Sequence, residues 1–366
     1  MPFVSVPAAT LFRHAVGSHS PATLADVTDY ALAVDVGGTK VEAALVASDG
    51  TLLDGSRDRR PTGAGSTSDE LAEAVRAVVA HALDALPDGD ALVGAGIGSA
   101  GPVDLVHGTV SPINLHAWRG YPLREQVAAL AASTLPDAAP VTLRLDGVSL
   151  ALAEHWVGAT QGADNALAIT VSTGVGGGLI VNGRLLSGGT GNAGHIGQIQ
   201  IADRPAGENA WSATLEVIAS GPNVVAWARE QGWQGERGED LAAGYVAGDE
   251  IAVAAVRRSA NAVGEAVSSV TTLLDLDVVA IGGGFSRVSD DYLDLVRATV
   301  QEAPVNEYAR RVRVVRAGLG DESPLVGAAA LVWRAARLGW AAPPAVGDAR
   351  LPASVASLGT VVGGPA

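Results

Sequence analysis

The stretch Tyr30-Ala31-Leu32-Ala33-Val34-Asp35-Val36-Gly37-Gly38-Thr39-Lys40-Val41-Glu42-Ala43-Ala44-Leu45-Val46 decides the fold. Residues 31–35 read as a strand, Gly37-Gly38-Thr39 as a turn, 41–46 as a second strand and Ser48-Asp49-Gly50 as the next turn. A dinucleotide site or a P-loop needs its glycines to open a helix. Here small and β-branched apolar residues continue past the turn, so the unit is a hairpin; no Walker pattern occurs in the chain.

The same theme returns downstream. Residues 166–171 read as a strand, Ser172-Thr173-Gly174-Val175-Gly176-Gly177-Gly178 as a glycine loop, 179–181 as a strand and Asn182-Gly183 as a hairpin turn. Two strand–glycine turn–strand units predict a duplicated fold. Around them the spacing predicts helices at 68–85, 251–274, 291–302 and 325–338, and strands at 91–97 and 278–281. Loops are expected at 98–102, at 112–118 and at Gly282-Gly283-Gly284. This alternation predicts an α/β protein of mixed sheets covered by helices. The expected organisation is a tail at 1–28, a small lobe at 29–140 and a large lobe at 141–324. A helix at 325–340 packs back on the small lobe, and a second tail follows at 341–366.

With 366 residues and 48% hydrophobic content the chain can bury a large core, and its length suits two lobes. A formal charge of −15 argues against nucleic acid or anionic membrane as a partner, since those contacts need clustered Lys and Arg. The sequence contains no cysteine, which removes disulfides, thiolate nucleophiles and Cys-ligated zinc. Neither a signal-peptide pattern nor a long apolar run appears, and a cytoplasmic protein is expected. His14, His19 and His81 have no partner at metal-ligand spacing, and Trp227, Trp233 and Trp333 are expected to pack helices.

Glycine turns let backbone N–H groups approach phosphate oxygens, so the three turns are candidate nucleotide contacts. Their order and neighbours carry a family resemblance. Val34-Asp35-Val36-Gly37-Gly38-Thr39-Lys40 resembles the first phosphate motif of ROK sugar kinases, the segment from Ser172 to Gly178 resembles the second, and Val279-Ala280-Ile281-Gly282-Gly283-Gly284 is similar to their adenosine-side loop. Gly101-Pro102-Val103-Asp104, Pro112-Ile113-Asn114-Leu115 and Trp118 resemble the sugar-side loops, and Gly194-His195-Ile196-Gly197 sits where the family signature lies. The likeness runs from about residue 30 to 340 in order.

The resemblance implies an actin-like ATPase (ribonuclease H-like) fold with an interlobe cleft that closes on sugar and excludes water. It implies ATP-dependent phosphorylation of a hexose or amino-hexose, at the 6-OH, with ATP and Mg²⁺ as cofactors. Asp146, in Leu143-Arg144-Leu145-Asp146-Gly147, occupies the position of the general base. ATP contacts are implied for Asp35, Gly37, Gly38, Thr39, Lys40, Ser172, Thr173, Gly174, Gly176, Gly282, Gly283 and Gly284, with Asp35 facing the metal. Sugar contacts are implied for Asn114, Leu145, Asp146, His195, Gln198 and Glu216. Family members are often dimers, so a homodimer is expected.

Departures from the family pattern converge on the sugar pocket. Leu145 stands where an Asn is usual, His195 where a Glu is common, and Gln198 where a His binds zinc and sugar. The zinc-binding cysteine cluster expected near 205–215 is gone, so a zinc-free member is expected. Hydroxyls left without partners cost about 1–3 kcal/mol each, which disfavours plain glucose. The altered corner suits a modified hexose, such as N-acetylmannosamine or the 3-amino sugar kanosamine. Two rivals share the fold: a sugar-sensing regulator, for which the ~28 residues before the first strand are too few to hold a winged helix-turn-helix, and a pseudokinase without turnover. A dinucleotide-dependent oxidoreductase is set aside because the first two glycine turns lead into strands.

Overall fold

The computed structural model describes residues 28–201 and 210–335. The two expected tails lie outside the described residues, apart from residue 28, as does the last helix beyond 335.

Strands β1 (Asp29–Val36) and β2 (Lys40–Ala47) form the expected hairpin, pairing antiparallel with Asp35 opposite Glu42 and Val36 opposite Val41. Both read as near-continuous apolar runs because both faces of their sheet are covered: Ala31, Leu32, Ala33 and Val34 are fully buried. β3 (Asp58–Pro61) adds at the open edge of β2. α1 (Ser68–Asp84) begins at a capping box between Thr67 and Glu70 and buries the stripe Leu71, Val75, Val78, Val79 and Ala82. β4 (Ala91–Ser99) runs parallel to β1. The short hairpin of β5 (Val103–Asp104) and β6 (Thr109–Val110) follows, then α2 (Leu123–Ala131) and β7 (Val141–Leu145), which lies parallel to β4 and passes directly into α3 (Asp146–Trp156).

The second half repeats this plan. β8 (Ala166–Val171), β9 (Val175–Val181) and β10 (Arg184–Leu185) form an antiparallel meander whose second turn is Asn182-Gly183, both residues at positive φ. Helices α4 (Leu215–Ala219), α5 (Gly221–Glu230), α6 (Gly238–Ala247) and α7 (Glu250–Leu274) intervene. β11 (Val278–Gly282), α8 (Tyr292–Glu302) and β12 (Arg313–Arg316) then add two strands parallel to β8. The two five-stranded sheets have orders β3-β2-β1-β4-β7 and β10-β9-β8-β11-β12, a three-strand meander followed by two parallel strands in each. The duplicated, mixed-sheet α/β architecture is therefore present.

One expected loop is a strand. Val175 to Gly178 belong to β9, pairing with Val171 to Ala168, so only Ser172-Thr173-Gly174 forms the turn. Glycines weaken a strand in isolation, but here they let other backbone pack against it. A side chain on Gly147 at the start of α3 would collide with the backbone of Gly177, and one on Gly178 would run into the Gly147 carbonyl. β3, the 103–110 hairpin, α2 and β12 had no distinct signal in the pattern, being short or rich in charge.

The final helix α9 (Ser323–Trp333) returns to the first sheet, packing on β1, β4 and α3. Its contact with α3 is backbone to backbone: a methyl on Gly327 would run into the carbonyl of Ser149. Gly327→Ala is accordingly expected to destabilise the protein by about 1–3 kcal/mol through overpacking. Urea unfolding reads this as a lower midpoint, and an unchanged midpoint would show that α3 and α9 can separate at no cost.

Candidate active site

Asp146 is the first residue of α3, and its Oδ1 accepts the Gly147 N–H at 2.7 Å. A helix N-terminus favours a carboxylate. Enclosure of the carboxyl nevertheless pushes its pKa up to about 6; the Gly147 N–H works against that shift and the charge of Glu216 adds to it. A methyl on Gly176 of β9 would lie 3.9 Å from Asp146 Oδ1. Asp146 thus sits at the junction of the two sheets.

Asp35 approaches the junction from β1. It is 4% exposed, and its Oδ1 has no hydrogen-bond partner. Burial pushes its pKa up to about 8, with the charges of Asp146 and Glu42 adding to the rise while Lys40 and Arg59 oppose it. Antiparallel pairing places Glu42 beside it on the same face of the sheet. Glu42 is fully buried; burial alone would raise its pKa, but Lys40 and Arg57 hold it below the usual range. Arg57 donates to Glu42 Oε2 from Nε and Nη2 at 3.1 and 2.8 Å, and Arg59 does so at 3.1 and 3.0 Å. Lys40, expected at the nucleotide, is ion-paired with Glu42. The first glycine turn closes with Gly37 N–H on the Lys40 carbonyl at 2.8 Å, Thr62 N–H bonds the Thr39 carbonyl at 2.9 Å, and the Asn114 side chain packs on Gly38.

The second and third glycine turns are neighbours at one end of the second sheet. Ser172 N–H bonds the Gly174 carbonyl at 2.9 Å, and the Ser172 carbonyl accepts from Gly221 N–H at the start of α5 at 2.8 Å. Gly282 lies opposite Thr170, Gly283 has φ +92° and tucks against Val171, and a methyl on Gly284 would lie 3.7 Å from Ser172 Oγ. The backbone of Thr173 spans the same turn.

Glu216, in the first turn of α4, reaches this region. Its Oε2 accepts the Val175 N–H at 2.9 Å and its Oε1 accepts from Gln198 Nε2 at 3.4 Å. Leu145, 2% exposed, and His195 both pack on Gly101. Burial lowers the His195 pKa, and its buried Nε2 has no partner. The structure therefore gathers Asp146, Gly176, Glu216 and Gln198 in one group, Leu145, Gly101 and His195 in a second, and Asn114 with Gly38 in a third. The sequence reading missed Glu42, Arg59 and Ser149, whose buried Oγ has no partner and faces Gly98 alongside Asp35. Period-two alternation along β2, set against Asp35 in the hairpin register, would have found Glu42.

Among the described residues no group of three or more His, Cys, Asp or Glu is arranged to hold a metal ion. Mg²⁺ in nucleotide sites needs less, one or two carboxylates plus phosphate oxygens and water. The partnerless Oδ1 of Asp35 beside Asp146 fits that donor set. What the arrangement can do chemically is accept a proton at Asp146, hold a cation at Asp35, and offer glycine-turn N–H groups to phosphates.

The profile of the ROK family matches residues 31–335. The chain is 33% identical over 308 residues to the N-acetylmannosamine kinase of Escherichia fergusonii, covering 82% of this chain and 97% of that one. It is 29% identical over 325 residues to the glucokinase of Streptomyces coelicolor, covering 82% and 96%. The structure of a ROK family glucokinase from Streptomyces griseus in complex with glucose and AMPPNP superposes with a TM-score of 0.70 at 29% identity, covering 83% of this chain and 99% of that one.

A carboxyl whose pKa rises on folding binds its proton more tightly in the folded state, so its contribution to stability is present below the ordinary value of 3.8 and is lost progressively up to about pH 8. Asp35→Asn removes that titration. The variant is expected to melt at a higher temperature than the parent at pH 8, with the gap closing toward pH 4. A gap that is constant across this range would place the cause elsewhere.

Proposed function

The chain belongs to the ROK family and is a sugar kinase, and we propose that it transfers the γ-phosphoryl group of ATP to the 6-OH of a hexose or amino-hexose with Asp146 as general base. The observation that carries this reading is the place of Asp146, at the N-terminus of α3 between the sheet that holds the first glycine turn and the sheet that holds the other two. A hydroxyl held there gives its proton to the carboxylate as its oxygen bonds to the γ-phosphorus and the bond to the β-phosphate oxygen breaks, releasing ADP. A pKa of about 6 leaves Asp146 ionised yet basic at neutral pH. The turns at Gly37-Gly38, Ser172-Thr173-Gly174 and Gly282-Gly283-Gly284 hold the phosphates and the nucleotide, with Thr39, Gly176 and Lys40 supporting them. Asp35, whose Oδ1 has no partner, would hold Mg²⁺, which would neutralise the phosphate oxygens.

Asn114, Leu145, His195, Gln198 and Glu216 form the sugar side. Gln198 donates to the Glu216 carboxylate at 3.4 Å, and the chain has no cysteine for a thiolate zinc site. Leu145 and the neutral His195 offer fewer hydrogen bonds than the usual Asn and Glu, which favours a modified hexose, N-acetylmannosamine or a 3-amino sugar, over glucose. A homodimer follows by analogy with the family. No helix among the described residues is long and apolar enough to cross a membrane.

ADP release from Mg-ATP with glucose, mannose, N-acetylglucosamine, N-acetylmannosamine and amino-glucoses tests the reading. One sugar is expected to turn over, with Asp146→Asn lowering kcat at least about 100-fold. Its kcat/KM is expected to fall as pH drops through about 6, as Asp146 takes up its proton. Sugar binding without turnover would point to a pseudokinase, and glucose outperforming every other sugar would remove the modified-hexose reading.

A further inference from the structure

Asn192 lies three residues before His195, in the segment that follows β10. Its side-chain amide is matched to both backbone groups of Val103, 89 residues away in sequence, at the start of β5. Oδ1 accepts the Val103 N–H at 3.0 Å, and Nδ2 donates to the Val103 carbonyl at 2.9 Å. The same Nδ2 lies 3.3 Å from the Thr190 carbonyl and 3.2 Å from Thr190 Oγ1, which orients the amide. Next to it, Gly191 at φ +85° packs so closely against the Leu105 side chain that a Cβ there would displace it.

Val103 belongs to a strap that continues in both directions. Toward the sugar side, Gly101 packs on Leu145 and His195. Toward the nucleotide side, the Pro102 carbonyl accepts Ser111 N–H at 2.9 Å and the Gly101 carbonyl accepts Ile113 N–H at 3.1 Å. The next residue, Asn114, packs on Gly38 of the first glycine turn. Residues 101–114 thus touch the sugar-side wall at one end and a phosphate turn at the other.

We propose that Asn192 is a positioning residue that clasps the strap to the His195 segment, so that the sugar-side wall and the first glycine turn keep a fixed relation when sugar is held. This rests on the sugar-kinase reading of the site. The clasp acts through Val103 and touches neither substrate. A side-chain amide suits the role because it presents one donor and one acceptor in a plane, the pattern a paired strand would offer.

The test compares wild type, Asn192→Ala, Asn192→Asp and Leu105→Ala by calorimetric titration with each sugar of the panel, by kinetics, and by thermal unfolding. Asn192→Ala is expected to weaken the sugar dissociation constant and raise the sugar KM about tenfold, the scale of one to two net hydrogen bonds. The ATP KM is expected to stay within about twofold and the melting temperature within a few degrees. Asn192→Asp keeps the acceptor and loses the donor, so its sugar KM is expected to fall between the two. Leu105→Ala loosens the same seam from the other side and is expected to shift the sugar constant in the same direction, which decides the matter if Asn192→Ala does not fold. Unchanged sugar constants in the folded variants, or equal losses for sugar and ATP together with a lower melting temperature, would overturn the clasp. Absence of turnover by the wild type would contradict the kinase reading alone, since the ratio of sugar dissociation constants needs binding only; binding of no sugar by the wild type would overturn both.

Discussion

The close backbone approach of α3 to the rest of the molecule is the constraint on which the structure depends. The helix leaves β7 without a connecting loop and meets β9 where Gly147 faces Gly177 and Gly178. Further along, Ser149 is flanked by Gly98 of β4 and Gly327 of α9. Side chains at these points would force the layers apart, and interiors packed at crystal-like density transmit such displacements. The first residue of this helix is Asp146, so the packing that joins the two sheets also fixes the carboxylate between them.

Electrostatics at the junction reflect function more than stability. Glu42 is buried with three cations around it, and its cost of desolvation is offset there. Asp35, its neighbour in the hairpin register, has no such partner at Oδ1 and faces the charge of Asp146. A chain selected only for stability would not keep two carboxyls in this arrangement. Sites that bind charged ligands commonly retain such local conflicts, which the ligand relieves.

The hairpin around Gly37-Gly38 and its echo around Ser172-Thr173-Gly174 were legible because apolar runs flank strong turn residues, and the long helix α7 because its apolar period persists over many turns. The run Val175 to Gly178 misled, since glycine's preference for loops was overridden by packing against α3 and the 194–197 segment. β3 was hidden because charge replaces an apolar pattern there, and the 103–110 hairpin because its strands are only two residues long. Asp146 and Glu216 were legible through resemblance as candidates for one site, but the contacts that hold them were not: Val175 N–H of β9 on the Glu216 carboxylate arises only when α4 folds onto β9. Asn192 carried no signal at all: its role appears only when Val103, distant in sequence, is brought beside it.

The central claim is that the fold presents Asp146 to a sugar hydroxyl between the two sheets. It is tested most directly by a crystal structure of the protein with its best-bound sugar and a non-hydrolysable ATP analogue. An Asp146 carboxylate oxygen is expected about 2.6–3.2 Å from one sugar hydroxyl, with that hydroxyl in line with the γ-phosphorus. A sugar bound away from Asp146, or an Asp146 turned to protein donors alone while both ligands are present, would contradict it.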